Sequence, residues 1–207
     1  MNTEDYLELT KNKQQIVIEL GCGPYKRTGS IGIDALKVHN VDIVANLEEG
    51  LPFIPDNSVD EVYSSHFLEH IKNIDSLLKE IHRILKPTGI HKAIVPHFSN
   101  PYYYSDFTHN IFFGLYSFDY YATEHSKLRR TVPNFYNTIK FNITERKLIF
   151  KSQFIVRQLT KKIISRFFNL NNYMRELYEE CFTGLIQCSE IYFEMTPEKH
   201  SQPKNDA

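Results

Sequence analysis

Several short stretches of this 207-residue chain hold residue types and spacings that could do chemistry. The first is Glu19-Leu20-Gly21-Cys22-Gly23-Pro24, directly after the β-branched apolar run at 16–20. Two glycines where a strand ends let the backbone turn sharply and approach a ligand without Cβ clashes. The third glycine of a dinucleotide fingerprint would fall at Lys26, which argues against a nicotinamide or flavin site. Asp34 closes the next apolar run, Ile31-Gly32-Ile33, where a carboxylate can accept hydrogen bonds from two ribose hydroxyls. Histidines supply the candidate proton acceptors: His66 in Ser64-Ser65-His66-Phe67-Leu68-Glu69-His70, His97 after a later strand, and His109 three residues beyond Asp106. Asp106 and His109 form either a carboxylate-oriented imidazole or a turn cap beside a packed ring. His97 is either a base or a packed ring, and at His66 either the ring or the backbone matters. Cys22 reads as a small packing residue, with nothing beside it that marks a nucleophile.

Elements must position these residues. Runs at 16–20, 31–34, 41–47 and 58–65 read as four short strands buried in a parallel sheet. Leu77, Leu78, Ile81, Ile84 and Leu85 share one face of a helix that Asn73 or Asp75 can cap and Pro87 with Gly89 can end. A fifth strand follows at 89–97. In 98–121, eleven of 24 residues are Phe or Tyr, fitting either a lid or pocket wall or a second small core. Strands at 139–143 and 147–150, helices around 156–167 and 173–182, and a closing strand at 190–195 complete the pattern. This is an α/β arrangement with a parallel sheet.

Taken in order, E-L-G-C-G-P, I-G-I-D, L-P-F-I-P-D-N-S-V-D, S-S-H-F-L-E-H and R-I-L-K-P-T-G resemble the class I S-adenosylmethionine-dependent methyltransferases. They look most like the small-molecule, type 11 branch. The resemblance is strong over 14–97 and weaker through P-H-F-S-N-P, S-D-F-T-H and E-I-Y-F-E-M. It implies a Rossmann-like sheet of order 3-2-1-4-5-7-6 with an antiparallel last strand, and S-adenosyl-L-methionine as cofactor. It places Gly21, Cys22 and Gly23 beneath the methionine part of that cofactor, Glu19 near its amino group and Asp34 on the ribose. Asn46 and Leu47 would border the adenine. Ser65 and His66 would lie under the sulfonium and face the acceptor, while Glu69 and His70 cap and pack the following turn. His66, His97, Asp106 and His109 are the catalytic candidates, and no metal is expected.

Only seven residues separate Gly23 from Ile31, so the usual first helix must shrink to a turn. Lys26 or Arg27 would then supply the countercharge that helix amides give the cofactor carboxylate. The implied organisation is one domain over 1–207: a cofactor core at 14–97, an aromatic acceptor or lid segment at 98–136, C-terminal strands and helices at 137–195, and a frayed tail at 196–207.

Composition bounds the function. Hydrophobic residues are 42% and charged residues 24%, with 24 Lys and Arg against 25 Asp and Glu, so no global polybasic signature favours nucleic acid. Three cysteines without a CxxC pair argue against a disulfide framework or a cysteine zinc site. With no apolar h-region at the N-terminus, a cytoplasmic protein with reduced thiols is expected. Residues 126–168 nevertheless carry eleven basic side chains and one acid. That is either a solvated face or a surface for an anionic partner. The acceptor is expected to be a small molecule, with sugars or surface-glycan and natural-product precursors as the finer reading. Alternatives are a non-catalytic partner subunit, a nucleic-acid methyltransferase using the basic stretch, and a membrane-surface enzyme using Lys161, Lys162 and Arg166. No N-P-P-Y-type motif supports the nucleic-acid reading. The oligomeric state is open.

Overall fold

A computed structural model of the protein describes residues 3–123 and 128–199. The chain runs α1 (Thr3–Thr10), β1 (Val17–Leu20), β2 (Ile31–Asp34), β3 (Ile43–Val44), β4 (Val59–Ser65), α2 (Ile74–Ile84) and β5 (Leu85–Pro96). It continues with β6 (Lys140–Ile149), α3 (Ile155–Phe168), α4 (Asn172–Cys181) and β7 (Glu190–Glu198). The seven strands form one sheet in the order β3-β2-β1-β4-β5-β7-β6. The first five are parallel, and β7 runs antiparallel to β5 and β6. This is the expected Rossmann-like order.

Local chemistry explains the elements. Ile18, Leu20, Ile31, Ile33 and Val62 are buried in the sheet's centre, as the β-branched runs require. Helix α2 presents Leu77, Leu78, Ile81 and Ile84, each 2% exposed or less. Asn73 caps it, its side chain accepting the Ser76 amide at 3.1 Å. Arg83, in its last turn, donates to the Leu51 and Ile54 carbonyls and to Asp56 and Glu80, which clamps the L-P-F-I-P-D turn before β4.

Four elements differ from expectation. The N-terminal segment forms α1, whose Tyr6 is fully buried beside Phe53; one buried ring in a polar helix leaves little periodicity to read. The two short strands expected at 139–150 are one strand, β6, with a register shift between Ile143 and Glu145. β5 starts as soon as α2 ends, so Pro87 and Gly89 lie in its irregular first part rather than in a loop. β7 runs past residue 195, because Lys140 and Phe141 of β6 pair with Glu198 and Pro197. The rest of the expected tail, 200–207, and residues 126–127 of the basic stretch lie outside the described residues.

The aromatic segment divides. Phe113, Leu115, Phe118 and Tyr121 are core, with Phe118 edge-on to Phe193 of β7 at 4.7 Å. Its inner half is pinned by the buried pair Arg146–Asp119 and by the Phe98 amide donating to the Phe113 carbonyl at 2.8 Å. Its outer half stays exposed, with Tyr102, Tyr104, Phe107 and Phe112 all more than half accessible.

His91 in mid-β5, between Val62 of β4 and Met195 of β7, is fully buried, and neither ring nitrogen has a hydrogen-bond partner. Burial pushes its pKa from the ordinary 6.5 down to about 3. The unfolded chain therefore takes up a proton below pH 6.5 that the native protein refuses, and stability is lost as pH falls through that value. At about 1.4 kcal/mol per pH unit, going from pH 7.5 to 5 should shift relative stability by about 2 kcal/mol in favour of His91→Leu. Urea unfolding of both proteins at the two pH values checks this; a gap that does not move with pH would show that His91 is charged or solvated.

Candidate active site

Glu19, Asp34 and Ser65 stand at the carboxyl ends of β1, β2 and β4; Gly21–Gly23, Asn46–Leu47, His66 and His97 lie just beyond the ends of β1, β3, β4 and β5; and Asp106 and His109 lie in the loop at 98–111. That edge of an open parallel sheet is where ligands bind. No helix links β1 to β2; a run of turns does. The Gly21 and Cys22 amides both donate to the Ile33 carbonyl, folding the loop back over β2. Gly21 sits at φ +61°, and a Cβ there would lie 2.3 Å from the Phe67 ring. Gly23 also has positive φ, +51°, but a Cβ there would meet nothing within 4 Å.

Asp34 is half-buried. Its Oδ2 accepts the Gly23 amide at 2.9 Å and its Oδ1 the Leu36 amide at 3.0 Å, leaving one acceptor direction on each oxygen. Glu19 is buried, and its Oε2 accepts the Arg27 amide at 2.7 Å and the Ser30 hydroxyl at 2.9 Å. It closes the glycine loop on itself. The two candidate countercharges are spent elsewhere: Lys26 pairs with Asp42 at 2.6 Å, and Arg27 pairs with Glu61 at 2.7 Å while stacking on Tyr63. Cys22 is buried among Asp34, Glu19 and Asp42, and burial pushes its thiol up to about 11, so it stays protonated. Asn46 is exposed and caps a short turn through the Glu48 amide, while the Leu47 side chain packs in the core.

At the end of β4, Ser65 is half-buried and His66 turns into the left-handed region at φ +51°, a conformation costing about 1–2 kcal/mol in a non-glycine residue. Its imidazole spans two buried carboxylates, Glu190 Oε1 at 3.3 Å from Nε2 and Glu69 Oε1 at 3.5 Å from Nδ1. Glu190 and Glu69 raise the His66 pKa to about 9 against the opposing effect of burial. At neutral pH His66 is therefore a cation and hydrogen-bond donor rather than a proton acceptor. Lys151 Nζ holds Glu190 from the other side at 2.6 Å, and both cations keep the Glu190 carboxyl below the usual range despite its burial.

His97 is fully buried. Its Nδ1 accepts the Ser99 amide at 3.1 Å, so Nε2 carries the proton and donates to Glu179 of α4 at 3.2 Å. Both nitrogens are occupied in a network that continues through Ser99 to Tyr178 and Cys188. His97 ties β5 to α4. Asp106 accepts the Thr108 amide and hydroxyl, the His109 ring donates Nδ1–H to the Tyr103 carbonyl, and Asp106 Oδ2 lies 3.6 Å from His109 Nε2. Glu69 and His70, expected only to cap a turn, come against His109 across the sheet edge, with the two imidazole centroids 4.8 Å apart.

Sequence reasoning missed Glu190, Lys151 and Glu179. Glu190 had a signal: it opens E-I-Y-F-E-M, and the first residue of a strand antiparallel to its parallel neighbours stands at their carboxyl ends. A cavity of about 440 Å³ lies between the aromatic segment and α4, walled by Tyr116, Arg129, Arg130, Tyr173, Glu176 and Glu179. The glycine loop does not contribute to it.

Residues 27–92 match the family described as a methyltransferase domain. A ubiquinone/menaquinone biosynthesis C-methyltransferase from Pseudoalteromonas translucida is 35% identical over 105 residues, 45% of this chain and 39% of that protein. A demethylmenaquinone methyltransferase from Geobacillus stearothermophilus is 38% identical over 64 residues, 31% of this chain and 27% of that one. The chain thus spans well under half the length of these curated relatives. Among solved structures, an S-adenosylmethionine-dependent methyltransferase from Archaeoglobus fulgidus superposes at TM-score 0.51 and 18% identity, over 93% of this chain and 90% of that one. The YcgJ protein of Bacillus subtilis superposes at TM-score 0.50 and 15% identity, over 96% and 98%. The chain therefore shares the Rossmann-like fold of these methyltransferase structures, and its residues 27–92 match the methyltransferase-domain family.

Proposed function

We propose that this protein transfers a methyl group from S-adenosylmethionine to a small-molecule acceptor. The observation that carries the reading is the cradle formed by Gly21, Gly23 and Asp34. A Cβ would find open space above Gly23, and Asp34 keeps an acceptor direction on each oxygen for a ribose diol. The residues fit the cofactor, with one change of partner: Lys26 and Arg27 are paired with Asp42 and Glu61 and do not serve it, whereas Glu19 is engaged through Oε2 alone and keeps Oε1 for the cofactor's amino group. Bound there, the cofactor supplies an electrophilic methyl group on a sulfonium.

The chain's own residues align and shield. Gly21 and Gly23 let the loop backbone approach, Asp34 fixes the ribose, and Ser65 with the His66 cation forms the floor between cofactor and acceptor. Asp106 and His109 remain the candidates for receiving an acceptor's proton, and Tyr102, Tyr104 and Phe112 are exposed rings on which an acceptor's ring or sugar face could stack. In this reading 14–97 is the cofactor core, 98–136 the acceptor-facing segment and 137–195 the closing strands and helices. Sugar and quinone acceptors both suit such a surface; the second is motivated by the names of the curated relatives.

A second observation bears on where the acceptor is met. Among the described residues no helix is long and apolar enough to cross a membrane. Yet α3 exposes Ile155, Val156, Leu159, Ile163 and Phe167, each more than half accessible, beside Arg157, Lys161, Lys162 and Arg166. An apolar stripe flanked by cations suits the interface of an anionic bilayer. We infer that the protein meets its acceptor at such a surface.

Thermal-shift titration with S-adenosylhomocysteine tests the first proposal. At 100 times its dissociation constant the ligand should stabilise the fold by about 2.7 kcal/mol, roughly 5–10 °C for a chain of this size. Asp34→Ala should abolish the shift. Gly23→Ala should stay folded, at a cost of about 1–2 kcal/mol for its positive φ, and lose binding. Gly21→Ala, which drives a methyl into Phe67, should lose more stability than Gly23→Ala. No shift with wild-type protein at millimolar ligand would sink the reading. Sedimentation with phosphatidylglycerol vesicles tests the second: binding should weaken with salt and vanish in Leu159→Glu/Ile163→Glu, and wild-type protein left in the supernatant at low salt would exclude it.

A further inference from the structure

We propose that Glu69, His70 and His109 form a binding site for a divalent first-row transition metal such as Zn²⁺. One ligand atom from each residue lies within 4.8 Å of the others, with Glu69 buried and both histidines half-buried. Metal–ligand bonds of about 2.1 Å set ligand atoms roughly 3.4 Å apart, a contraction that side-chain rotation can supply.

The hydrogen bonds show which ring nitrogens are already engaged. The Thr108 hydroxyl donates its one proton to Asp106 Oδ1, so its oxygen accepts from His70 Nδ1–H at 2.9 Å. The Tyr103 carbonyl can only accept, so His109 Nδ1 also carries a proton, donated over 3.1 Å. Both rings thus have Nδ1–H anchored on an oxygen, so in the neutral imidazole Nε2 is the nitrogen that can ligate. That is the tautomer and second-shell arrangement of a metal-ligating histidine.

The third ligand supplies the charge. Glu69 is fully buried, and neither carboxylate oxygen has a hydrogen-bond partner; its one charged contact is the long 3.5 Å approach of His66. An unsatisfied buried carboxylate is costly, and a cation relieves that cost. His109 Nε2 lies 3.6 Å from Asp106 Oδ2, too far for a hydrogen bond, so this nitrogen has no hydrogen-bond partner that a metal would have to displace.

The site is also held by the backbone. The Asn110 and Ile111 amides donate to the Glu69 carbonyl at 2.7 and 3.2 Å, and Asn110 Nδ2 donates to the His70 carbonyl at 2.7 Å. These bonds fasten the Asp106–Asn110 loop to the turn after β4, which brings His109 to residues some forty positions earlier. Two imidazoles and one carboxylate suit zinc and its first-row neighbours rather than magnesium. Three protein ligands leave coordination open for an oxygen of solvent or of an acceptor, and with the metal bound Asp106 alone remains to receive an acceptor's proton.

The proposal does not depend on the methyl-transfer reading, which the S-adenosylhomocysteine shift tests separately on chelator-treated protein. Chelator-stripped full-length protein is titrated with Zn²⁺ alone against a chromogenic chelator, and with Co²⁺ alone for its visible spectrum. One equivalent should bind. Affinity should fall at least 100-fold in His70→Ala and in His109→Ala, and stay unchanged in His39→Ala at an exposed position. The cobalt spectrum should lack a thiolate charge-transfer band. Thr108→Val removes the anchor of the His70 ring from an exposed position and should weaken binding about tenfold, with Thr108→Ser restoring it. This variant decides the matter if either alanine protein fails to fold. Absence of stoichiometric metal at micromolar concentration would overturn the proposal, as would thiolate-bound cobalt or an unaltered affinity in Thr108→Val.

Discussion

The connection from β1 to β2 has to return along the sheet without the helix that normally spans such a crossover, and two carboxylates make that possible. Glu19, buried at the end of β1, gathers the Arg27 amide and the Ser30 hydroxyl, while Asp34 at the end of β2 gathers the Gly23 and Leu36 amides. Each converts loop N–H and O–H groups that a helix would have satisfied internally into charge-assisted hydrogen bonds. The loop is consequently short and fixed at both ends, and its glycines face the ligand edge with their amides already committed. The cationic side chains that could have replaced a helix dipole are drawn to the sheet's flank by Asp42 and Glu61. Any anion over this loop therefore meets less positive charge than the fold usually provides.

Much of this was legible in the sequence, and the reasons are physical. Strand identity followed from β-branched runs ended by Gly21, Asp34 and Ser65, because burial on both faces leaves a local signature, while the strand order came only from the family resemblance. The shortened first crossover followed from counting residues between Gly23 and Ile31. Tertiary partnership was not legible. His66 and Glu190 are 124 positions apart, His97 and Glu179 are 82 apart, and neither pairing leaves a local pattern. A histidine after a strand reads as a base until its neighbours are known. Here one histidine is held as a cation and the other is closed inside a hydrogen-bond network.

The ligand edge is organised by charge in two tiers. Glu69 and Glu190 are buried and fixed, and what they face is cationic or ligating: His66, Lys151, His70 and His109. Buried carboxylates at a sheet edge cost free energy unless cations answer them, so their positions dictate where positive charge must collect. That explains why His66 tolerates a left-handed backbone. The strain is small beside the cost of leaving Glu69 with no cation and Glu190 with Lys151 alone.

The aromatic segment then serves both rigidity and access through a single division of its length. Phe113, Phe118 and Tyr121 enter the core against β7, and Arg146 of β6 locks Asp119 between them. With that half immobilised, the preceding loop is carried to a defined place over β4, where the Glu69 carbonyl receives it. Its outer rings remain exposed because the core they adjoin is already closed by β6 and β7. Rings that are exposed yet anchored within a few residues lose little entropy on stacking against a ligand. The same anchoring holds His109, and through Thr108 the His70 ring, in place beside Glu69.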